Sequence, residues 1–258
     1  MPGGRGSLNR VLRETCISEG AVAYGIVSAA DVDDLPRVKI RWGIDRYSKK
    51  PTSIMPSARS IVVFGVASND DAHELAVHTK GEDYEYPGYL PLIHIRKRAA
   101  SVLRENGYEC IFPSERNALM SFKRIVQLAG IGGFGKNSIV ISPEHGPWLR
   151  FSMLLTDAPL KPSKPFARDL CRTCSSCISA CPVGALKPYI VDDMKCLIGM
   201  SSQARKKNVE PSLLETYEPQ LTRRSHVMCT ACQIVCPYTS DERRAKSHVF
   251  SIRQREDD

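Results

Sequence analysis

Apolar positions along the chain recur with two periods. Leu8, Val11, Leu12 and Thr15 fall at helical spacing and predict a helix over residues 8–19, stopped by Gly20. Residues 21–27 then read as a strand. Residues 60–66, SIVVFGV, read as a second strand, β-branched and apolar on both faces, which is the pattern of full burial. A basic amphipathic helix is predicted over 91–105 and ends at Asn106-Gly107. A strand follows at 108–112, a helix at 117–128, and strands at 138–142 and 151–156. Strands alternating with helices point to an α/β core through about residue 160. KPSKP at 161–165 predicts a linker, residues 161–240 a separate module, and 241–258 a charged tail that is a short helix or frays.

Composition narrows the class. With 258 residues and 42% hydrophobic content the chain can bury a core, in one or two domains. No apolar run is long enough to span a bilayer. The start, MPGGRGSLNRVLRE, lacks an apolar h-region, so neither a secretory signal nor a membrane partner is expected and a cytoplasmic location is. Net charge is +8 with every cysteine counted as neutral. Basic residues gather at 205–207, 223–224, 243–246 and 253–255, which suits an acidic redox partner or nucleic acid. No recognition helix or aromatic stacking motif accompanies them, so nucleic acid is not expected.

The cysteines carry the chemistry. Cys171, Cys174, Cys177 and Cys181 form a C-x-x-C-x-x-C-x-x-x-C run closed by Pro182. Cys229, Cys232 and Cys236 repeat its step and are closed by Pro237; Cys196 lies between. Two [4Fe–4S] clusters need eight thiolates, and in two-cluster ferredoxins the fourth cysteine of a run reaches the other cluster. Structural zinc is the rival, since paired C-x-x-C motifs make four-thiolate sites. Zinc explains neither the third cysteine at the same step nor the second C-x-x-x-C-P. A disulfide framework belongs to small secreted domains. Cys16 and Cys110, far from both runs, read as buried small hydrophobes.

GIGGFG at 130–135 matches the G-x-G-x-x-G of dinucleotide folds, but follows a predicted helix and precedes a strand, the reverse of that fingerprint. The glycines serve either a tight turn or close approach of backbone to a ligand. Lys136 is followed by Asn137, so a phosphate loop is excluded.

AGIGGFGKNSIVISPEHGPWLRFSMLLTDAPL (129–160), followed by the cysteine runs, resembles the epoxyqueuosine reductase family and the related reductive dehalogenases. IMPSARSIVVFGV (54–66) and KGEDYEYPGYLPLIHIRKRAASVLRENGYEC (80–110) extend the resemblance. It implies an α+β fold, a nitroreductase-like α/β sandwich over 1–160 that binds a corrinoid, with a C-terminal bacterial ferredoxin-like two-cluster module. It implies two [4Fe–4S] clusters, one on Cys171, Cys174, Cys177 and Cys236, the other on Cys181, Cys196, Cys229 and Cys232. It implies cobalamin against Gly135, Lys136, Asn137, Ser138 and Ile139, with Thr230 and Ala231 matching in position only.

Two departures bear on substrate. The family's proton-donating aspartate precedes the AGxG motif; here that segment is PSERNALMSFKRIVQ, with Arg116 near its place and Glu115 adjacent. The family's tRNA-binding C-terminal helical repeats have no counterpart in this sequence. A reduced relative acting on a small or nucleoside-like substrate is therefore expected, with tRNA not expected and ferredoxin or flavodoxin as electron donor. A replacement donor is expected among Tyr84, Tyr86 and Tyr89, with Tyr86 and Tyr89 as catalytic candidates and Lys80 or Arg96 as the cation lowering the phenol's pKa. His78, His94 and His145 are the alternatives. A cluster-only electron carrier and a reductase of a corrinoid held by another protein are the competing functions.

Overall fold

The computed structural model describes residues 5–40, 46–79, 84–113, 120–199 and 208–248, with the side chains of 5, 6, 39, 40 and 46 outside the description. By contact density the chain divides into two interleaved units. The first comprises Met1–Ala67, Pro91–Gly133 and Arg150–Arg168; the second comprises Ser68–Leu90, Phe134–Leu149 and Asp169–Asp258.

The first unit is built on a four-stranded sheet in the order Ala23–Ser28, Ser60–Ala67, Leu149–Thr156, Cys110–Ile111. The first two strands pair antiparallel, Ala23 opposite Gly65 through Ser28 opposite Ser60, and the last two also pair antiparallel. Seven of the eight residues of Ser60–Ala67 are buried, as its unbroken β-branched run requires. Phe64, Ile61, Val62, Leu154 and Leu155 form the sheet's part of the core. Helix Arg5–Ser18 adds Leu12, and helix Leu90–Glu105 adds Leu92, Ile95, Ala99 and Leu103 at helical spacing.

Two expectations change in this unit. Helix Phe122–Leu128 begins later than the predicted 117, and residues 114–119, with Glu115 and Arg116, lie outside the described residues. KPSKP is not a free linker. The backbone of Lys161 exchanges two hydrogen bonds with the Asn9 side chain, at 3.0 and 3.2 Å. Ser163 N–H donates to the Ile26 carbonyl, while its hydroxyl accepts from Ile26 N–H. A proline-bounded segment satisfies its backbone by lying along the strand Ala23–Ser28.

The second unit draws on three stretches of sequence. Strand Leu75–His78 pairs with Tyr84–Glu85 on one edge and with Ser225–Val227 on the other, and Gln220–Thr222 completes a four-stranded sheet. One apolar cluster in this unit is Trp148 and Ile234, with Tyr217 and Val235 packed against them, and Val140, Ile141, Leu186, Leu197 and Val227 are buried as well. Sequence order predicts a cut between 160 and 161. Compactness instead groups 68–90 and 134–149 with the cysteine runs, because strand Ser225–Val227 takes its partner from residues 75–77. No described helix is long and apolar enough to cross a membrane.

Candidate metal centre and cofactor site

The two cysteine runs fold alike. Each carries a single helical turn, Ser176–Ser179 in the first and Ala231–Ile234 in the second. The residues that open them have nearly the same backbone, Ser175 at φ −134°, ψ 11° and Thr230 at φ −118°, ψ 10°. Both turns close in the right-handed helical region at Ala180 and Val235, and a Cys-Pro pair follows each. Proline cannot extend the helix, so the chain leaves at the cysteine.

The thiols fall into two crossed sets by electrostatic neighbourhood. Cys236 feels Cys171, Cys177 and Cys174, and Cys177 feels Cys171 and Cys174. Cys229 feels Cys196 and Cys181, and Cys232 feels Cys229, Cys196 and Cys181. One link, Cys232 to Cys177, joins the sets. The last cysteine of each run thus neighbours thiols of the other run. Among the described residues no three His, Cys, Asp or Glu side chains gather as ligands of a single metal ion. In a cubane each thiolate takes a different iron, so four thiols at wider spacing suit it.

Burial shapes the chemistry of these thiols. It pushes Cys236 up to about 11 and Cys229 up to about 12, and Cys232 is raised further still. The buried Glu218 carboxylate adds to burial in raising Cys229 and Cys196. Without iron these groups remain protonated thiols. Iron must offset the desolvation of each thiolate, and loading releases protons. Cys174 goes the other way: the Ser176 hydroxyl and N–H, with the Lys136 ammonium, draw it below the usual thiol range.

The GKN segment sits between the runs. Residues 135–139 form a tight loop in which Ser138 N–H donates to the Gly135 carbonyl and Gly135 N–H to the Ile139 carbonyl. Ser138 holds φ 59°, the left-handed position such a loop demands. A Cβ on Gly135 would meet Ile141 Cδ1 at 2.5 Å and Asn137 Oδ1 at 2.6 Å, so glycine is required by the loop itself. Lys136 Nζ donates to the carbonyls of Arg172 at 2.6 Å and Cys174 at 2.8 Å, and Lys136 N–H points at Cys171 Sγ, 3.4 Å away. Asn137 turns the opposite way: its Nδ2 donates to the Cys232 carbonyl at 3.4 Å and its Oδ1 accepts from Ile139 N–H. The Lys136 and Asn137 side chains are thus engaged with the cysteine loops. Gly130 answers the alternatives left open for the glycine motif at its position. At φ +80° it ends helix Phe122–Leu128, its N–H donating to the Gln127 carbonyl and Ile131 N–H to the Val126 carbonyl.

Thr230 and Ala231 are buried by protein. Tyr86 and Tyr89 flank a short 3₁₀ turn, their rings 6.2 Å apart, with Tyr86 exposed and Tyr89 half-buried. Tyr84 stands between His78 and His226, edge-on to both at 5.3 and 5.4 Å. His94 pairs with Glu19 and His145 lies near Glu144. Lys80 lies outside the described residues, and Arg96 stacks its guanidinium on Phe112 at 4.5 Å. Cys16 and Cys110 are buried, with burial raising both thiols and Cys16 reaching about 12.

Sequence pattern did not flag the braces of the second run. Trp148 Nε1 donates to the Thr239 hydroxyl, which donates to the Gln233 carbonyl. Arg243, 4% exposed, stacks on Trp148 at 3.8 Å and pairs with Asp71 at 3.1 Å, and Arg244 donates to the Cys236 carbonyl. The expected tail is therefore a capped helix over Asp241–Ala245, up to the limit of the described residues at 248.

Comparison with known proteins places this geometry. Residues 170–239 match the family model of the 4Fe-4S double cluster binding domain. An epoxyqueuosine reductase of Synechococcus sp. CC9605 is 27% identical over 256 residues, 90% of this chain and 76% of that protein. One from Listeria monocytogenes is 36% identical over 114 residues, 44% of this chain and 28% of its own length. Among solved structures, an epoxyqueuosine reductase with an epoxyqueuosine-modified tRNA-Tyr stem loop superposes with a TM-score of 0.68 at 19% identity. That match covers 93% of this chain and 67% of the other. A catabolic reductive dehalogenase with 3-bromo-4-hydroxybenzoic acid superposes at 0.59 and 18% identity, over 90% of this chain and 32% of the other. By fold, this chain resembles solved epoxyqueuosine reductases and reductive dehalogenases. It has that mixed α+β fold with a C-terminal two-cluster ferredoxin-like domain. The matches span 28% of the Listeria relative and 76% of the Synechococcus one.

Proposed function

We propose that the protein is a cobalamin-dependent iron–sulfur reductase that performs reductive cleavage on a small or nucleoside-like substrate. The observation that carries this reading is the pair of crossed thiol sets, built into one unit with the GKN loop and the three tyrosines. Eight cysteines with sulfur donors only, in two groups of four, fit two [4Fe–4S] clusters. The loop at 135–139 fits a flat ligand as a preformed surface, its backbone largely paired within the protein. A corrinoid there would rest on half-buried Ser138 and Ile139 by van der Waals contact, while Lys136 and Asn137 hold the loop. Bound cobalamin would supply the low-potential centre that breaks a C–O or C–halogen bond. The chain's own part is to conduct electrons singly through the two clusters and deliver a proton, with the phenol oxygens of Tyr86 and Tyr89 the candidates.

A second reading has one observation in its favour: the solved relative with a modified tRNA stem loop, on the same fold. Its substrate would be epoxyqueuosine in tRNA. The experiment is anaerobic reconstitution, titration with cobalamin followed by visible spectroscopy, and then turnover assays on epoxyqueuosine as free nucleoside and within a tRNA stem loop. A spectral shift with turnover of the free nucleoside supports the proposal. Efficient turnover only within the stem loop selects the tRNA reading. No shift in either cobalt oxidation state leaves a cluster-only electron carrier. Activity that appears only with an added corrinoid protein makes the chain that protein's reductase. Tyr86→Phe and Tyr89→Phe, each checked for iron and cobalamin content, should slow turnover by about 10²–10⁴ for whichever is the donor. Less than a tenfold loss in both moves the donor elsewhere.

A further inference from the structure

We propose that Lys136 sets the two clusters apart in potential, making the one held by Cys171, Cys174, Cys177 and Cys236 the easier to reduce. The inference rests on the two-cluster reading alone and holds whether or not cobalamin binds. One loop touches both cysteine runs and does so unequally. Toward the first run it extends a cation, with Lys136 Nζ anchored 2.6 Å from the Arg172 carbonyl and 2.8 Å from that of Cys174. It adds a backbone N–H aimed at the Cys171 sulfur, 3.4 Å away. Toward the second run it extends only the neutral amide of Asn137, on the Cys232 carbonyl.

Reduction adds negative charge to a cluster. A fixed ammonium and an N–H···S bond both stabilise the reduced state and raise the potential, but Cys181 receives its own N–H···S bond from Ala185 at 3.3 Å, so the ammonium makes the difference. The anchoring carbonyls belong to Arg172 and to the ligand Cys174 itself, so the charge is held within the first cysteine run, where water screens it incompletely. Asp169 works against it. Its carboxylate accepts from Cys171 N–H at 2.9 Å and from the Tyr189 hydroxyl at 3.3 Å, but it is exposed, and its field is the more strongly screened. The first electron given to the oxidised pair therefore resides on the first cluster, and the second cluster fills last.

The test is a redox titration of the anaerobically reconstituted full chain, reduced stepwise with dithionite and followed by electron paramagnetic resonance. Two signals should arise at separate potentials. Cys174→Ser identifies them, since the signal surviving unchanged belongs to the second cluster; it should be the lower-potential signal of the unsubstituted protein. Lys136→Gln keeps a hydrogen-bond donor and removes the charge. It should lower the potential of the first-cluster signal alone, and Lys136→Arg should preserve it. Asp169→Asn should give a smaller shift of opposite sign on the same signal. If the surviving signal in Cys174→Ser is the higher-potential one, or if Lys136→Gln moves neither signal or both equally, the proposal is overturned. Should Lys136→Gln fail to load iron, the Cys174→Ser assignment decides the matter by itself.

Discussion

The first unit is held by apolar burial across one sheet; the second combines apolar burial with eight cysteines and polar braces. In the first, Phe64, Ile61, Val62, Leu154 and Leu155 are fully buried across neighbouring strands. Burial of such side chains contributes about 1.5–3 kcal/mol each. In the second, Trp148 and Ile234 form one cluster, and Val140, Ile141, Leu186, Leu197 and Val227 are also buried. The rest of its order comes from links such as Lys136 to Cys174, Asn137 to Cys232 and Arg243 to Asp71. Cysteine loops held by single hydrogen bonds are expected to lean on their metal, as small metallo-domains do. The difference separates two tasks: one unit keeps its shape, and the other keeps eight thiols where iron can be loaded.

Removing iron tests the contrast most severely. Chelation under anaerobic conditions should cost the second unit its structure and leave the first folded. Hydrogen exchange should stay slow in Ser60–Ala67 and Leu149–Thr156 and become fast through residues 169–199 and 225–240. Uniform exchange across both units would show that their stabilities are not separate. Phe64→Ala probes the other half: it should destabilise the first unit by about 3–5 kcal/mol, the usual cost of emptying an aromatic core position. Chemical denaturation measures the loss, and iron content should remain at about eight per chain.

Arg243→Met comes next in size. It leaves Asp71 without its buried partner and removes the cation from Trp148, and breaking a buried pair costs about 3–5 kcal/mol. Asp71 is itself 17% exposed, so the lower end is expected. Melting followed at the cluster absorbance should fall, and Asp71→Asn in the same chain should recover part of the loss. The smallest effects separate ligands from bystanders. Cys196→Ser should lower the iron count to about half, while Cys16→Ser and Cys110→Ser should leave it unchanged. Iron lost from either of the latter would place a bystander thiol at a cluster.

Legibility followed the same divide. The first unit's strands and helices were readable because hydrophobic period reports burial directly, and Ser60–Ala67 needed nothing else. Helix Phe122–Leu128 and its glycine end were readable in kind but not in role, since GIGGFG suits a helix stop and a ligand loop equally well. In the second unit the cysteine spacing announced the metal, yet nothing in the string announced the sheet. Strand Leu75–His78 is short, only Ala76 in it is buried, and its partner Ser225–Val227 lies about 150 positions downstream. Lys136 and Asn137 stood out by resemblance as cofactor residues; the structure adds that their side chains grip the cysteine loops.

By itself the sequence determined which atoms meet iron: thiol spacing along one chain segment is a local property, and the two Cys-Pro steps are written in it. Only the tertiary structure decided what surrounds those thiols. Residues 68–90, 134–149 and 241–245 join them through single hydrogen bonds, ring stacking and a strand pairing across the chain. Such links depend on distance in space and leave no period in the sequence, because each involves one side chain and a backbone group far away.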